Sequence, residues 1–351
     1  MRLFTAPHWL ETSLSCWPAS LGHQIVTLPL TEESHARCVI GRRAMSRHGG
    51  LVQSRVLAFN QSLDTAWDQV FVEYNGFFDA DPAHFPALLE RLLERLKHDP
   101  HWDEFRLAGL TSRDAQATIH LGNQYGLDVR VVDTRPTFAR QLARDRMKGS
   151  TLFGLSANTR AQIRRSRRLI ISTLGPIQLQ HATSVEQSIQ WFDEAGSWHR
   201  RRWGDRSGRK SSSGFDNPAF VRFHHALIRS AHPSGQVRLW RVSAGSKALA
   251  WLYNFRIDQV EAFYLGSWDP DLDPGMRAGL IAHQEVMDAC LEEGVETYDF
   301  MAGDSRYKRQ LANESSELHW LVMQRPRWRF TVEDQLRKLK HWLLRDRLPE
   351  T

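Results

Sequence analysis

Residues 237–304 read VRLWRVSAGSKALAWLYNFRIDQVEAFYLGSWDPDLDPGMRAGLIAHQEVMDACLEEGVETYDFMAGD. Three runs rich in β-branched and aromatic residues open the stretch: Val237–Val242, Ala248–Ile257 and Val260–Leu265. Asp258 and Gln259 make the turn between the last two. After Trp268-Asp269-Pro270-Asp271-Leu272-Asp273-Pro274-Gly275 the spacing predicts a helix from about Met276 to Glu293, stopped by Gly294. Tyr298-Asp299-Phe300-Met301 reads as a short buried strand, and a second helix starts near Asp304. Leu318–Met323 supplies a closing strand.

Upstream, Ile177–Gln180 is a strand candidate and Val185–Arg202 a helix rich in Trp and Arg. Asp205–Gly214 is a Gly/Ser/Lys/Arg loop, and Asn217-Pro218 begins a helix that runs to about His232. The order over this half is strand, two helices, three meandering strands, helix, strand, helix, strand. The first half also alternates, as an α/β layer does. Ile25–Leu30, Leu51–Phe59 (after His48-Gly49-Gly50), Val70–Tyr74, Phe105–Leu110 and Val129–Val132 read as strands. Phe85, Leu88, Leu89, Leu92, Leu93 and Leu96 mark an amphipathic helix, and Ser112–Tyr125 a second. Thr134-Arg135-Pro136 opens a connector, in which Asn158 is the expected N-cap of a basic helix, Thr159–Arg168. Arg160, Arg164 and Arg168 share one face of it, either solvated or an arm for phosphate. The expected organisation is a lobe over 1–150, a basic connector helix over 151–175, a second lobe over 176–330 and a basic amphipathic helix over 331–351.

The chain has 351 residues, enough for two average domains. With 41% hydrophobic and 25% charged residues it fits a soluble globular class. Thirteen Trp and seventeen Phe promise a well-filled core or an aromatic-lined groove. A net charge of +6 is compatible with a phosphate-bearing ligand, an anionic polymer, RNA or a membrane face. Much of that excess lies after residue 300, where eleven Lys and Arg face seven Asp and Glu. Cys16, Cys38 and Cys290 follow neither a disulfide framework nor a zinc spacing. No signal peptide or membrane-spanning run is read, so a cytoplasmic protein is expected. The phosphate-loop, dinucleotide, nucleophile-elbow and zinc-protease motifs are missing from the sequence.

The order of elements and several motifs resemble the GNAT superfamily. Within it the chain is similar to the CelD-type acetyltransferases linked to cellulose and exopolysaccharide synthesis, relatives of the two-lobed Fem-type aminoacyltransferases. The resemblance rests on Glu73-Tyr74-Asn75-Gly76, the arginine-rich helix at 160–168, Trp198-His199-Arg200-Arg201-Arg202-Trp203, Asp273-Pro274-Gly275, and the run from Tyr298 to Lys308. It implies an α/β fold of two tandem GNAT-like lobes, the first degenerate, each with a mixed and mostly antiparallel splayed sheet flanked by helices. It implies a donor loop of Pro274, Gly275, Met276, Arg277 and Gly279, holding acetyl-CoA or another acyl-CoA at a helix N-terminus. This loop departs from the superfamily's usual run of Arg or Gln, two residues, Gly, one residue, then Gly or Ala. Asp299 is the expected base or orienting group and Tyr307 the expected acid. His199, Arg202, Trp203, Tyr264, Asp304 and Lys308 are the acceptor-side candidates. Asp304 also reads as an N-cap, His199 and Arg202 as helix C-terminal cations, and Tyr264 as core.

The leading expectation is direct acyl transfer, without a metal, to a sugar, a polysaccharide precursor or an amino-bearing metabolite. The second is an aminoacyl-tRNA-dependent transferase. The third is a non-catalytic accessory protein of an envelope-polysaccharide machine. The basic C-terminal helix, with Leu336, Leu339, Leu343 and Leu344 on one side, packs on the domain or lies on a membrane face or a biosynthetic partner. No DNA contact is expected.

Overall fold

The computed structural model describes residues 3–47, 50, 52–69, 72–203 and 213–333. In chain order the elements are α1 (Pro7–Cys16), β1 (His23–Pro29), β2 (His35–Arg47), β3 (Val52–Phe59), α2 (Phe85–Lys97), β4 (Glu104–Thr111), α3 (Ser112–Gln124) and β5 (Asp128–Gln141). Then follow α4 (Ala157–Leu174), β6 (Ile177–His181), α5 (Val185–Trp203), α6 (Pro218–Ala231), β7 (Val237–Ala244), β8 (Lys247–Ile257) and β9 (Val260–Trp268). α7 (Ala278–Glu292), β10 (Thr297–Ala302), α8 (Arg306–Leu311) and β11 (Glu314–Gln324) complete the series. The mixed α/β class with open sheet and flanking helices is as expected.

The chain forms two compact units. One comprises Met1–Trp17, Thr65–Tyr74 and Arg135–Leu318; the other comprises Pro18–Asp64, Asn75–Thr134 and His319–Thr351. In the second unit β1, β2 and β3 are antiparallel neighbours, and β3 pairs in parallel with β4. The apolar stripe of α2, from Phe85 to Leu96, fills its core together with Phe59, Phe105 and Leu107. The long strand β2 has no clean alternation and carries Gly41, where a Cβ would strike the Gln61 carbonyl at 2.1 Å. The sequence therefore hides it.

In the first unit β6, β7, β8 and β9 form an antiparallel meander, and β10 runs parallel to β9. Burial of Trp240, Leu252, Phe263, Tyr298 and Phe300 against Ile163, Ile170, Ile281 and Met287 seats α4 and α7 on one face. Trp9, Phe192, Phe223 and His224 cover Tyr253 and Phe255 on the other, which seats α1, α5 and α6 there.

Several local expectations change. β5 passes straight through Thr134-Arg135-Pro136, because Pro136 sits where only its carbonyl is used, accepting from the Gly303 amide. Ser156, not Asn158, caps α4, its hydroxyl accepting the Thr159 amide. α4 is also longer than its basic stretch, since Ile163 and Ile170 are fully buried while Arg164, Arg165 and Arg168 stay exposed. Residues 72–74 are not a strand. Val70, Phe71, the turn at His48 and Gly49, residues 205–212 of the basic loop, and the C-terminal helix beyond Glu333 lie outside the described residues.

Burial divides α4 into a core face and a solvent face, and denaturant unfolding distinguishes the two. Ile163→Ala is expected to cost about 2–4 kcal/mol. Arg164→Ala is expected to stay within about 0.5 kcal/mol of the parent.

Candidate active site

The β9–β10 ladder is short. It pairs Thr297 with Val260, Tyr298 with Glu261 and Asp299 with Ala262, and then stops. Three local features hold the strands apart beyond that rung. Tyr264 is an extra residue on β9: the register to β8 jumps from Tyr253–Leu265 to Asn254–Phe263. Met301 adopts φ 61°, which turns β10 out of line. The register between β10 and β5 also slips between Asp299 and Ala302.

A cavity of about 230 Å³ lies at the start of α7, lined by Trp268 at the end of β9 and by Pro274, Arg277, Gly279, His283 and Tyr307 among others. Pro274–Met276 is a single 3-10 turn, and Arg277 at φ 44° redirects the chain into α7. The Gly275 amide is taken by Asp273 Oδ1 at 2.7 Å. The amides of Ala278 and Gly279 bond no group among the described residues, as the first turn of a helix leaves them. Gly279 matters by its lack of a side chain, since a Cβ would press on the Trp268 ring at 3.2 Å. Arg277 is exposed with no ion-pair partner among the described residues. The buried hydroxyl of Ser166, on α4, donates to the Gly275 carbonyl at 3.0 Å and braces the loop. Four expected donor residues, Pro274, Gly275, Arg277 and Gly279, thus form one turn and the start of one helix. Met276 is buried beneath it.

Tyr307 lines the same cavity, its ring stacked on His283 at 5.0 Å and 13°. Burial pushes its phenol above the ordinary range, so it keeps its proton at neutral pH. The Arg202 guanidinium lies 4.1 Å over the Trp268 ring. His199 Nδ1 is 2.7 Å from Ser213 Oγ, and burial, helped by Arg202, lowers its pKa to about 4. Trp203 ends α5, and its side chain lies outside the described residues.

Asp299 points to the opposite face of β10 from Tyr298 and Phe300 and does not line the cavity. Its carboxylate accepts the Met301 amide at 2.7 Å and the Tyr74 hydroxyl. Glu73 accepts the Ala302 amide at 2.8 Å. Lys308 Nζ donates to the carbonyl oxygens of Ala302 at 2.6 Å and Met301 at 3.3 Å. Burial raises both carboxyls and lowers the ammonium, and their mutual attraction opposes all three shifts. Sequence reasoning singled out Glu73-Tyr74 only as a motif, and two residues more than 220 positions upstream give no spacing signal. Tyr74 stands at φ 51°, so Tyr74, Arg277 and Met301 are three bulky residues held in the left-handed region around this site.

Tyr264 is half-buried among Trp9, His224, Tyr253 and Phe255 and serves the aromatic core. Asp304 is exposed and ion-paired with Arg309, while Ser305 occupies the N-cap position of α8. Among the described residues no cluster of His, Cys, Asp or Glu is suited to a metal ion.

Comparison with known proteins fits this geometry. FemX is similar in structure, with a TM-score of 0.56 at 10% identity over 91% of this chain and 92% of that one. A conserved protein of unknown function from Bacteroides thetaiotaomicron gives 0.56 at 10% identity, over 91% and 90%. The C-terminal domain of a candidate lysylphosphatidylglycerol synthetase from Agrobacterium fabrum gives 0.50 at 10% identity, over 80% and 83%. At these identities the likeness is one of fold. No curated protein matches the chain significantly. Residues 157–309, which span α4 through most of α8, match the family model of the acetyltransferase (GNAT) domain, so this stretch carries a GNAT-type acyltransferase domain.

Proposed function

We propose that the protein is an acyl-CoA-dependent N- or O-acyltransferase working by direct transfer. The observation that carries the reading is the cavity at the start of α7. It combines two open amides at a helix N-terminus, an unpaired arginine and a buried, protonated tyrosine. Those groups suit a diphosphate and the thiolate leaving group beyond it. An acyl-CoA supplies an acyl group already activated as a thioester.

The chain's own residues then divide the work. Ala278, Gly279 and Arg277 hold the anionic end, and Trp268, pinned by Arg202, walls the slot. Tyr307 holds a proton for the departing sulfur. On the other face of β10, Asp299 takes the proton of an incoming amine or hydroxyl. Tyr74 and the Met301 amide orient it, and Lys308 with Glu73 sets the local charge. The acceptor class we favour is a sugar, a polysaccharide precursor or an amino-bearing metabolite, in keeping with the CelD-type resemblance.

The exposed arginines of α4 favour a second reading, transfer from an aminoacyl-tRNA, in keeping with the Fem-type resemblance. Titration calorimetry separates the two. Under the first reading acetyl-CoA binds, and Arg277→Glu weakens it by about tenfold, or 1.4 kcal/mol. An absence of heat at millimolar acetyl-CoA overturns that reading. Salt-sensitive tRNA binding abolished by Arg164→Glu and Arg165→Glu would establish the second.

Asp299 gives a signed pH prediction. Its folded pKa lies above its unfolded one, so ionisation costs stability as pH rises from the ordinary carboxyl range through the raised value. Asp299→Asn removes that cost: the melting temperature at pH 7 stays level or rises, while transfer falls about 10²–10⁴-fold. A fall in melting temperature with transfer intact would assign Asp299 a structural role. Tyr307→Phe is expected to slow transfer by about 10²-fold or more with donor affinity nearly unchanged, a loss in kcat rather than in KM.

A further inference from the structure

His283 is 1% exposed and sits one turn into α7 from Gly279, on the wall of the donor cavity. Its hydrogen bonds can be followed to a definite tautomer. Glu261 is fully buried and accepts from Trp240 Nε1 at 2.9 Å, Arg256 Nε at 2.8 Å and Asn254 Nδ2 at 3.0 Å. A carboxylate held by an arginine only accepts, which fixes the Asn254 amide with its nitrogen toward Glu261. The second hydrogen of that nitrogen reaches Tyr298 Oη at 3.5 Å. Asn254 Oδ1 receives no hydrogen bond among the described residues, so the phenol proton of Tyr298 is not spent there. What remains for it is His283 Nδ1, at 3.2 Å. Nδ1 is then the acceptor, and Nε2 carries the hydrogen. Nε2 has no hydrogen-bond partner among the described residues. Burial, with Lys308 nearby, pulls the imidazole pKa down to about 3, so the ring is neutral and holds one N–H only.

A buried N–H without an acceptor costs about 1–3 kcal/mol, and this one belongs to a residue in the wall of a cavity that also holds two unpaired helix N-terminal amides. One helical turn places it about 6 Å along the axis from Gly279. The ring is clamped between Tyr307, Phe263 and Phe300, at 5.0, 4.5 and 5.4 Å, and has little freedom to turn away.

We propose that His283, through Nε2–H, is the hydrogen-bond donor that holds a carbonyl oxygen of the acyl donor in this cavity, with Asn254 and Tyr298 as the positioning residues that fix its tautomer. The assignment rests on the acyl-CoA reading above and adds to it a neutral donor at the carbonyl. An acyl-CoA offers such an oxygen in the amides of its arm and in the thioester.

The test has two readouts on the full chain. Ring ¹⁵N chemical shifts of His283, identified by comparison with His283→Gln, report the tautomer without any ligand. The Nε2–H form is expected, with Tyr298→Phe admitting the Nδ1–H form; Nδ1–H in the parent protein overturns the proposal. Calorimetry with CoA and with acetyl-CoA then reports the contact. His283→Leu is expected to weaken acetyl-CoA by about tenfold, the worth of one well-placed hydrogen bond, while His283→Gln, which keeps an N–H at similar reach, recovers most of it. An equal loss for CoA and acetyl-CoA places the bond on the arm, and a loss confined to acetyl-CoA places it on the thioester; either supports the assignment. If the parent binds both ligands and His283→Leu binds them equally well, the assignment fails while the acyl-CoA reading stands. If the parent binds neither, it is the acyl-CoA reading that has failed, and the assignment falls with it.

Discussion

Everything at the candidate site follows from a parallel ladder that ends after three rungs. Strands that run parallel normally continue pairing as long as both stay extended. Here pairing ends at Asp299 and Ala262, because an extra residue on β9 and a left-handed residue on β10 break their geometry within two positions of one another. The carbonyls of Met301 and Ala302 are taken by Lys308 instead of by a neighbouring strand. The gap is thereby made stable: its polar edge on β10 is satisfied, and the rings of Phe263, His283 and Phe300 close one side of it. A buried, fully partnered Glu261 anchors the middle rung and stops the opening from running further.

That arrangement sets two groups of side chains on opposite faces of one strand. Period-2 alternation sends Tyr298 and Phe300 toward α7, and Asp299 to the other face. An acyl group delivered through the gap would pass from one face to the other. The donor's charges would be met by backbone amides, Arg277 and two neutral rings. The acceptor's proton would be met by a carboxylate whose ionisation is already costly. Placing bulky residues at positive φ in Tyr74, Arg277 and Met301 costs conformational energy, which packing elsewhere in the unit offsets. The α4 helix is part of that support: it presents arginines to solvent, yet its buried side holds the turn before α7 through Ser166 and meets α7 through Arg167 and Glu285.

The sequence made the second half legible because its signals are local. The meander shows as β-branched runs divided by Asp258, α7 as an apolar repeat ended by Gly294, and the turn before α7 as Asp273-Pro274-Gly275. What stayed hidden depends on distant partners. β2 is masked by a glycine and two arginines in mid-strand. α1 has a weak apolar pattern and is held by Trp9 packing on Phe223 and Phe255, more than 210 residues away. Glu73 and Tyr74 join Asp299 only through the fold. Asp304 and Tyr264 read in the string as acceptor-side residues, and tertiary packing turns one to solvent and the other into an aromatic cluster. His283 sits in an apolar helical run with nothing in the string to mark it, and only its bonding to Tyr298 sets it apart.

The account stands on the gap between β9 and β10 being a slot for an anionic acyl donor. The most direct measurement is a crystal structure of the full chain soaked with a non-hydrolysable acyl-CoA. The account predicts diphosphate density on the amides of Ala278 and Gly279, with the arm entering between the strands beyond Ala262 and Asp299. Density that leaves those amides bare, or a ligand seated elsewhere with the gap filled by protein side chains, would contradict it.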